Sequence, residues 1–600
     1  MVNGLSAVPA LERHEERGIV LRGPVLENPP FETIGAMLDS SAQKAPDHPF
    51  LIHPTGIDRT VLTFSDARQL AHRLANVLVN LGLSQERPFA ILSGNTITHA
   101  LLSLAAQIAG IPVAPISVAY SQLSDLSRLA QIFDVLTPGL VFAEDGAAFS
   151  NALKLAVDMG AKTMVSRNGA GDAERLFADA LRNQTEIAAS KIPAETTAKI
   201  LFTSGSTGTP KGVIVTHRMM CSNQEAIAQV WPSVVDSQPV AVDWLPWNHV
   251  FGGNLVFNFA LRHAGTLVID DGRPLPGQFE KTIQNLKDYS PTVHFGVPRG
   301  FEELVRVLDG DEDFARLYFS RLQVMFTAGA SLPATVWNRY RELAERHGLP
   351  GLGMYVGWGS TETSPVASIS PRDNVRADNI GSPLPGAEIK LVPNEDKSEL
   401  VIRGPMVTPG YWRRPDLSAQ AFDQDGFYRI GDAGKLVDEA DPGKGIQFDG
   451  RVAENFKLVT GTWVQAGALR LAAVSAGGSL IQDAVVTGHD RDSVGLLIFL
   501  NRTVARQVSG KPDAELTELC TCPLVRASVS AALANLSGAG SSSRVARALI
   551  LPDMPSIQAG EITDKGYLNQ RALLRSRADL VERLYADPPH SDVVLPASKH

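Results

Sequence analysis

The sequence predicts an α/β protein: a large N-terminal domain of α/β subdomains plus a β-rich subdomain, followed by a small α+β C-terminal domain. Short apolar runs alternate with helical patterns as far as Thr327, which is what largely parallel strands with crossover helices produce. After about Asp378 the texture changes to short strands between Gly and Pro turns, and past Arg451 it becomes a compact mixture of helix and strand. The expected boundary divides residues 1–451 from residues 452–600.

The elements follow in order. Leu70, Leu74, Val77, Leu78 and Leu81 recur at helical spacing behind Ser65, an expected N-cap, and the pattern stops at Gly82. The strands expected next are Phe89 to Leu92, Pro112 to Ile116, Leu140 to Phe142, Thr163 to Val165 and Ile200 to Phe202. Val240 to Trp244, Thr266 to Ile269, Thr292 to Phe295 and Leu322 to Thr327 continue the series. The apolar stretch from Leu101 to Val118 is broken by Gln107, Gly110, Pro112 and Pro115, so it reads as a buried helix and strand rather than a membrane span. Ser398 to Gly404 and Gly445 to Gly450 are strands of the β-rich part. No fixed period recurs, which disfavours a solenoid.

The 600 residues suggest roughly three to four units of ~150 residues. With 44% hydrophobic and 20% charged residues the chain has a globular composition, and a net charge of −9 gives no footprint for nucleic acid. Cys221, Cys520 and Cys522 lack metal-ligand spacing and read as reduced structural thiols. The first thirty residues lack the apolar core of a signal peptide, so the cytoplasm is the expected address, with no membrane span.

One loop carries the first chemistry. The strand Ile200 to Phe202 runs into Thr203-Ser-Gly-Ser-Thr-Gly-Thr-Pro-Lys-Gly212, and a strand and a helix capped by Thr216 follow. Gly205, Gly208 and Gly212 free the backbone to turn N–H groups toward an anion, Ser204, Ser206 and the threonines add hydroxyl donors, and Lys211 adds a cation. Triphosphate is the natural occupant. The spacing does not fit a Walker P-loop, and the bland alternative is a Gly/Ser-rich surface linker.

The string resembles the signature of the adenylate-forming superfamily of acyl- and aryl-CoA synthetases, luciferases and peptide-synthetase adenylation domains. Further motifs of that superfamily stand in the same order: Gly357-Trp-Gly-Ser-Thr-Glu-Thr363, Gly426-Phe-Tyr-Arg-Ile-Gly-Asp432, Asp449-Gly-Arg451 and Glu561-Ile-Thr-Asp-Lys565-Gly. Adenylation builds negative charge on phosphorus, so the site needs a metal ligand and cations. The resemblance implies that Glu362 binds Mg²⁺, that Thr361 contacts phosphate, and that Trp358 beside Gly359 stacks on adenine. It gives Asp432 to the ribose hydroxyls, Arg451 to ribose or phosphate, and Lys565 to the α-phosphate and the incoming carboxylate. Taken alone, Gly431-Asp432 is an ordinary turn and Arg451 an ordinary surface cation.

Pro246-Trp-Asn-His249-Val-Phe251-Gly-Gly matches the segment whose histidine lines the acyl path in related ligases. Phe251, Gly329, Ala330, Gly357, Pro365 and Val366 fall where those enzymes form the pocket and its nucleotide-side wall, and their low polarity suits an aromatic or apolar acid. No carboxylate matches the position that pairs an amino acid's ammonium, although Asp243 precedes the motif. Phe456, Lys457, Gly461 and Trp463 resemble the mobile segment that lines a pantetheine tunnel, which points to coenzyme A as acceptor. The strings from Arg451 to Arg470 and from Ile562 to Tyr567 are similar to bacterial feruloyl-CoA synthases.

The resulting expectation is an ATP- and Mg²⁺-dependent acid–CoA ligase, monomer or homodimer, acting on a small carboxylic acid of the hydroxycinnamate type. The alternatives are a ligase for another aryl or medium-chain acid, an acyl-AMP ligase serving a carrier protein, and a catalytically silent nucleotide-binding regulator.

Overall fold

The apolar runs of the first third become one six-stranded sheet in the computed structural model. Its order is Pro210–Thr216, Thr197–Ser204, Val113–Pro115, Phe89–Ile91, Leu140–Asp145, Lys162–Arg167, and all neighbours but the first pair run parallel. The structure describes residues 9–597, apart from 15–17, 28–30, 56–57, 170, 189–190, 205–209, 235–236, 276, 373, 375, 395–396, 455, 461, 537–543, 557–558 and 563–567.

The chain divides into two units, one of Met1–Val392, Leu400–Ile430 and Leu436–Gln447, the other of Pro393–Glu399, Gly431–Lys435 and Phe448–His600. In the first unit a four-stranded sheet orders Val240–Asp243, Thr266–Ile269, Pro49–Thr55 and Asp58–Thr63. An eleven-stranded sheet begins with the parallel strands Val293–Gly296, Val324–Ala328 and Gly353–Gly359 and then turns antiparallel at Val366–Ile369. Parallel strands end together, so Ala328 lies beside Gly357 and the segments leaving both strands share one edge of the sheet.

Two local expectations change. The first helix read from periodicity is Phe64–Asn80, capped by Thr63, whose hydroxyl accepts from the Asp66 amide at 3.1 Å; Ser65 is already inside it. Thr63 ends a strand in extended conformation, the backbone an N-cap needs, and therefore takes the role. The phosphate loop is also shorter than Thr203 to Gly212, because Thr203 pairs with Lys211 and Ser204 with Pro210. The returning strand gains a second partner on its other side: the Ile214 amide donates to Gly410 O at 3.1 Å and the Trp412 amide to Gly212 O at 2.7 Å. Only residues 205–209 separate the strands, and they lie outside the described residues. Thr216 caps the helix His217–Val230 as read, accepting from the Met219 amide.

The second unit is built on a sheet ordered Ile481–Thr487, Val494–Leu500, Val545–Ile550 and Val593–Val594. Strand alternation sends Val486, Leu496 and Ile498 into one core with Val525, Val529 and Leu533, and sends Val485, Leu497 and Phe499 into another with Leu573 and Leu584. A sheet covered on both faces is the α+β arrangement expected of the C-terminal part. Among the described residues no helix is long and apolar enough to cross a membrane.

Candidate active site

The strand Pro210–Thr216 delivers Lys211 to the mouth of its hairpin, where the ammonium lies over the Tyr411 ring at 5.3 Å from its centre. The Tyr411 hydroxyl donates to Glu362 Oε1 at 3.0 Å and lies 3.2 Å from the Tyr428 hydroxyl. Glu362 is buried and sits in a short turn, Thr361–Thr363, with Thr361 half-buried beside it. Ser360 Oγ accepts the Glu362 amide at 3.2 Å, and the Thr408 amide donates to Glu362 O at 2.8 Å. Burial and the Glu362 charge push the Tyr411 phenol upward, and burial does the same to Tyr428, so both stay protonated as donors. A cation, a buried carboxylate and two phenols thus converge beside the expected triphosphate loop. Tyr411 and Tyr428 were not among the expected site residues; Gly410-Tyr411-Trp412 after a proline turn and the aromatic pair in Gly426-Phe-Tyr-Arg are the only marks they leave in the sequence.

The strand before Glu362 carries Gly357, Trp358 and Gly359. Trp358 is buried and pairs with Ser368, and the register shifts between Trp358 and Gly359. Gly359 has φ 155, and a Cβ there would meet Pro365 O at 1.8 Å, so only glycine lets the Pro365-Val366 backbone come this close. Thr363 Oγ1 closes the turn by donating to Pro365 O at 2.6 Å, and Asn223 Nδ2 donates to Val366 O at 2.7 Å. Gly329 and Ala330 form an exposed bend at the end of the neighbouring strand.

His249 and Phe251 stand in a differently made segment. The residues Phe251–Val256 form a buried π-helix, a rare conformation that concentrates at functional sites. Its entry is clamped by Asn95, which donates from Nδ2 to Leu245 O and accepts the Trp247 amide, both at 2.9 Å. The Gly253 amide donates to His249 O at 2.8 Å, and a Cβ on Gly253 would meet Trp247 O at 2.2 Å. Phe251 packs edge-on against Phe326, ring centres 5.9 Å apart. Phe295, Phe326 and Tyr355 pair across adjacent strands and so share one face, on which Trp231 lies 6.4, 5.8 and 5.3 Å from the respective rings. This aromatic wall was not singled out beforehand, because alternation shows that these residues face one side without showing which side. Asp243 is buried, and burial drives its carboxyl well above the usual range.

In the second unit Arg451 Nε lies 3.4 Å from the buried Asp432 Oδ1, joining the two residues expected at the ribose. Lys457 stands on a hairpin with Trp463, its ammonium 4.6 Å above the indole. Gly461 and Lys565 lie outside the described residues, as do Gly205, Ser206, Thr207 and Gly208; Ser204 is described only through its backbone. Residues on both sides of Lys565 are anchored. Ile562 bridges Leu568, the Asn569 amide donates to Glu561 O at 2.8 Å, and the Arg577 guanidinium holds the Glu561 carboxylate at 2.9 and 2.8 Å.

Parallel strands ending at one sheet edge, with Lys211, Glu362 and two phenols gathered near a hairpin, make an α/β arrangement suited to a phosphate-bearing ligand. The chain belongs to the AMP-binding enzyme family: residues 38–412 match that family and residues 456–588 match the AMP-binding enzyme C-terminal domain. Among curated relatives, a long-chain-fatty-acid–CoA ligase of Salmonella typhimurium is 30% identical over 41% of this chain and 45% of that protein. The chain thus spans less than half the length of this first relative. A long-chain-fatty-acid–CoA ligase of Mycobacterium bovis is 24% identical over 92% of this chain and 97% of its own. Among solved structures, ATP-bound MatB from Rhodopseudomonas palustris shares the fold at TM-score 0.71 and 21% identity, covering 92% of this chain and 99% of that one. The anthranilate CoA ligase AuaEII with anthranoyl-AMP does so at TM-score 0.72 and 18% identity, covering 92% and 98%.

Proposed function

We propose that this chain is an ATP-dependent acid–CoA ligase. A carboxylate oxygen of the acid attacks the α-phosphorus of ATP, pyrophosphate leaves, and the thiol of coenzyme A then attacks the acyl carbonyl and expels AMP. The observation that carries the reading is the convergence of Lys211, Tyr411 and Glu362 at the phosphate hairpin.

Lys211 meets phosphate charge and Thr361 donates to a phosphate oxygen. Glu362 holds Mg²⁺; a lone buried carboxylate suits this ion, which keeps waters and phosphate oxygens as its other ligands, and among the described residues no three-residue metal cage exists. An Mg²⁺ held there by Glu362 would supply charge neutralisation for the leaving pyrophosphate. Tyr411 orients Glu362 from behind. Trp358 and Gly359, with Gly329 and Ala330 on the next strand, make the adenine face, and Asp432 and Arg451 take the ribose. Lys565 bridges α-phosphate and carboxylate. Residues 1–451 act as the large domain, and residues 452–600 as a small domain that moves between the half-reactions to bring Lys457 and Gly461 to the pantetheine arm.

The acid enters past His249 and Phe251, with Gly357, Pro365 and Val366 as wall. Its class is a hydroxycinnamate such as ferulate, supported by the aromatic wall around Trp231 and Phe326. The test incubates pure protein with ATP, Mg²⁺ and ferulate, benzoate, octanoate or palmitate, with and without coenzyme A. The expected result is pyrophosphate with ferulate and thioester only when coenzyme A is added. Pyrophosphate without thioester would overturn the coenzyme A half, and a preference for palmitate would overturn the aryl acid.

A further inference from the structure

The strand that leads into the phosphate hairpin carries a second lysine that nucleotide chemistry does not need. Lys199 is only 4% exposed. Among the described residues no carboxylate lies within ion-pair distance of it, and burial pushes its ammonium down to about 7. A buried cation without a counter-ion destabilises a fold, and a purely structural position would be better filled by an apolar side chain of the same length. Its hydrogen bonds show where it works. Nζ donates to Gly253 O at 2.6 Å and to Asn254 Oδ1 at 3.0 Å, both in the first turn of the π-helix.

The Gly253 peptide carries the contact onward. Its carbonyl accepts from Lys199 and its amide, in the preceding peptide group, donates to His249 O, so the backbone of one residue is tied at both ends, to Lys199 on the strand Thr197–Ser204 and to the His249 carbonyl. Holding a residue at both its amide and its carbonyl fixes its place in the turn. The same turn is held from the opposite side by Gln224 Nε2, which lies 3.3 Å from both Asn254 O and Leu255 O. Below it His99 packs edge-on against Trp247 at 5.3 Å and stays neutral, its imidazole pushed down to about 4 by burial. Gln224 stands at 3.3 Å and His99 meets Trp247 through its ring, whereas Lys199 reaches the turn with two shorter bonds, at 2.6 and 3.0 Å.

We propose that Lys199 is a positioning residue of the acid site: from the strand that feeds the phosphate hairpin, it fixes the π-helical turn that sets His249 and Phe251. Acid binding and nucleotide binding then share one backbone support. This rests on the reading of His249 and Phe251 as the acid entrance.

The test uses the full chain as wild type, Lys199→Met and Lys199→Gln. Methionine keeps the apolar stem and removes the buried charge; glutamine keeps a donor. Thermal unfolding, ATP affinity without acid, and the kcat and KM of acid-dependent pyrophosphate release are measured for each. Lys199→Met is expected to melt at or above the wild-type temperature and to bind ATP as wild type does, with an acid KM raised about tenfold. Lys199→Gln should recover part of that affinity. An acid KM within twofold of wild type in both variants would overturn the proposal, as would a fall in melting temperature with ATP and acid affinity lost together. A wild type that releases no pyrophosphate with any acid would sink the ligase reading itself, and this role with it.

Discussion

Lys211 and Glu362 meet through a single tyrosine, whereas His249 and Phe251 depend on Asn95, Lys199, Gln224 and the glycines that follow them. The first arrangement is made of side chains at the ends of regular strands and one capped turn. The second is a π-helical turn held by long-range contacts. The contrast suggests a division of labour. In the proposed reading, Lys211 and Glu362 present a fixed array to the nucleotide, while the acid side rests on separate side chains, of which Lys199 comes from the strand that feeds the hairpin.

The largest effect that can break this comparison belongs to Glu362. Replacing it by Gln removes the buried carboxylate and should lower acid-dependent pyrophosphate release about 10²- to 10³-fold, while acid binding measured by fluorescence quenching stays near wild type. An equal loss of acid affinity would show that the two sides are not separate. Tyr411→Phe comes next: losing the hydroxyl that meets Glu362 Oε1 should reduce kcat about tenfold and raise the Mg²⁺ concentration needed for half activity. The mirror experiment is Gly253→Ala, whose methyl would press on Trp247 O; the acid KM should rise about fivefold, with ATP binding unchanged in calorimetry.

A smaller effect sharpens the contrast with the second unit, where Glu561 is held by Arg577 rather than by a tyrosine. That guanidinium lowers the Glu561 carboxyl from 4.5 to about 2. A carboxyl depressed on folding stabilises above its unfolded value and loses that contribution as the pH falls through its folded one. Glu561→Gln should therefore melt below wild type at pH 7, with the gap closing between about pH 4.5 and pH 2 in a series of thermal scans. A gap that persists at pH 2 would assign the effect to packing alone.

The same contrast explains what could be read from the chain. Glu362, Thr361, Lys211 and Asp432 sit in short strings whose residues are neighbours in sequence and remain neighbours in space. The strand series from Phe89 to Thr327 was legible for a similar reason, since each apolar run fills one buried strand. Thr63 displaced Ser65 as cap because the preceding strand fixes its backbone, a fact no helical periodicity contains. The π-helix at Phe251–Val256 was invisible, because the contacts that stabilise it come from Lys199 and Gln224. Tyr411 carries no local signal of its role, because its partner Glu362 lies 49 positions away in the sequence.

In the proposed reaction a carboxylic acid, not water or another phosphate acceptor, attacks the α-phosphorus of ATP. Isotope exchange between pyrophosphate and ATP measures this step directly, before any thiol is involved. With ferulate, Mg²⁺ and no coenzyme A, exchange should appear, rise with acid concentration to saturation, and vanish when the acid is left out. Exchange that proceeds equally without acid, or cleavage of ATP to ADP in its place, would contradict the account.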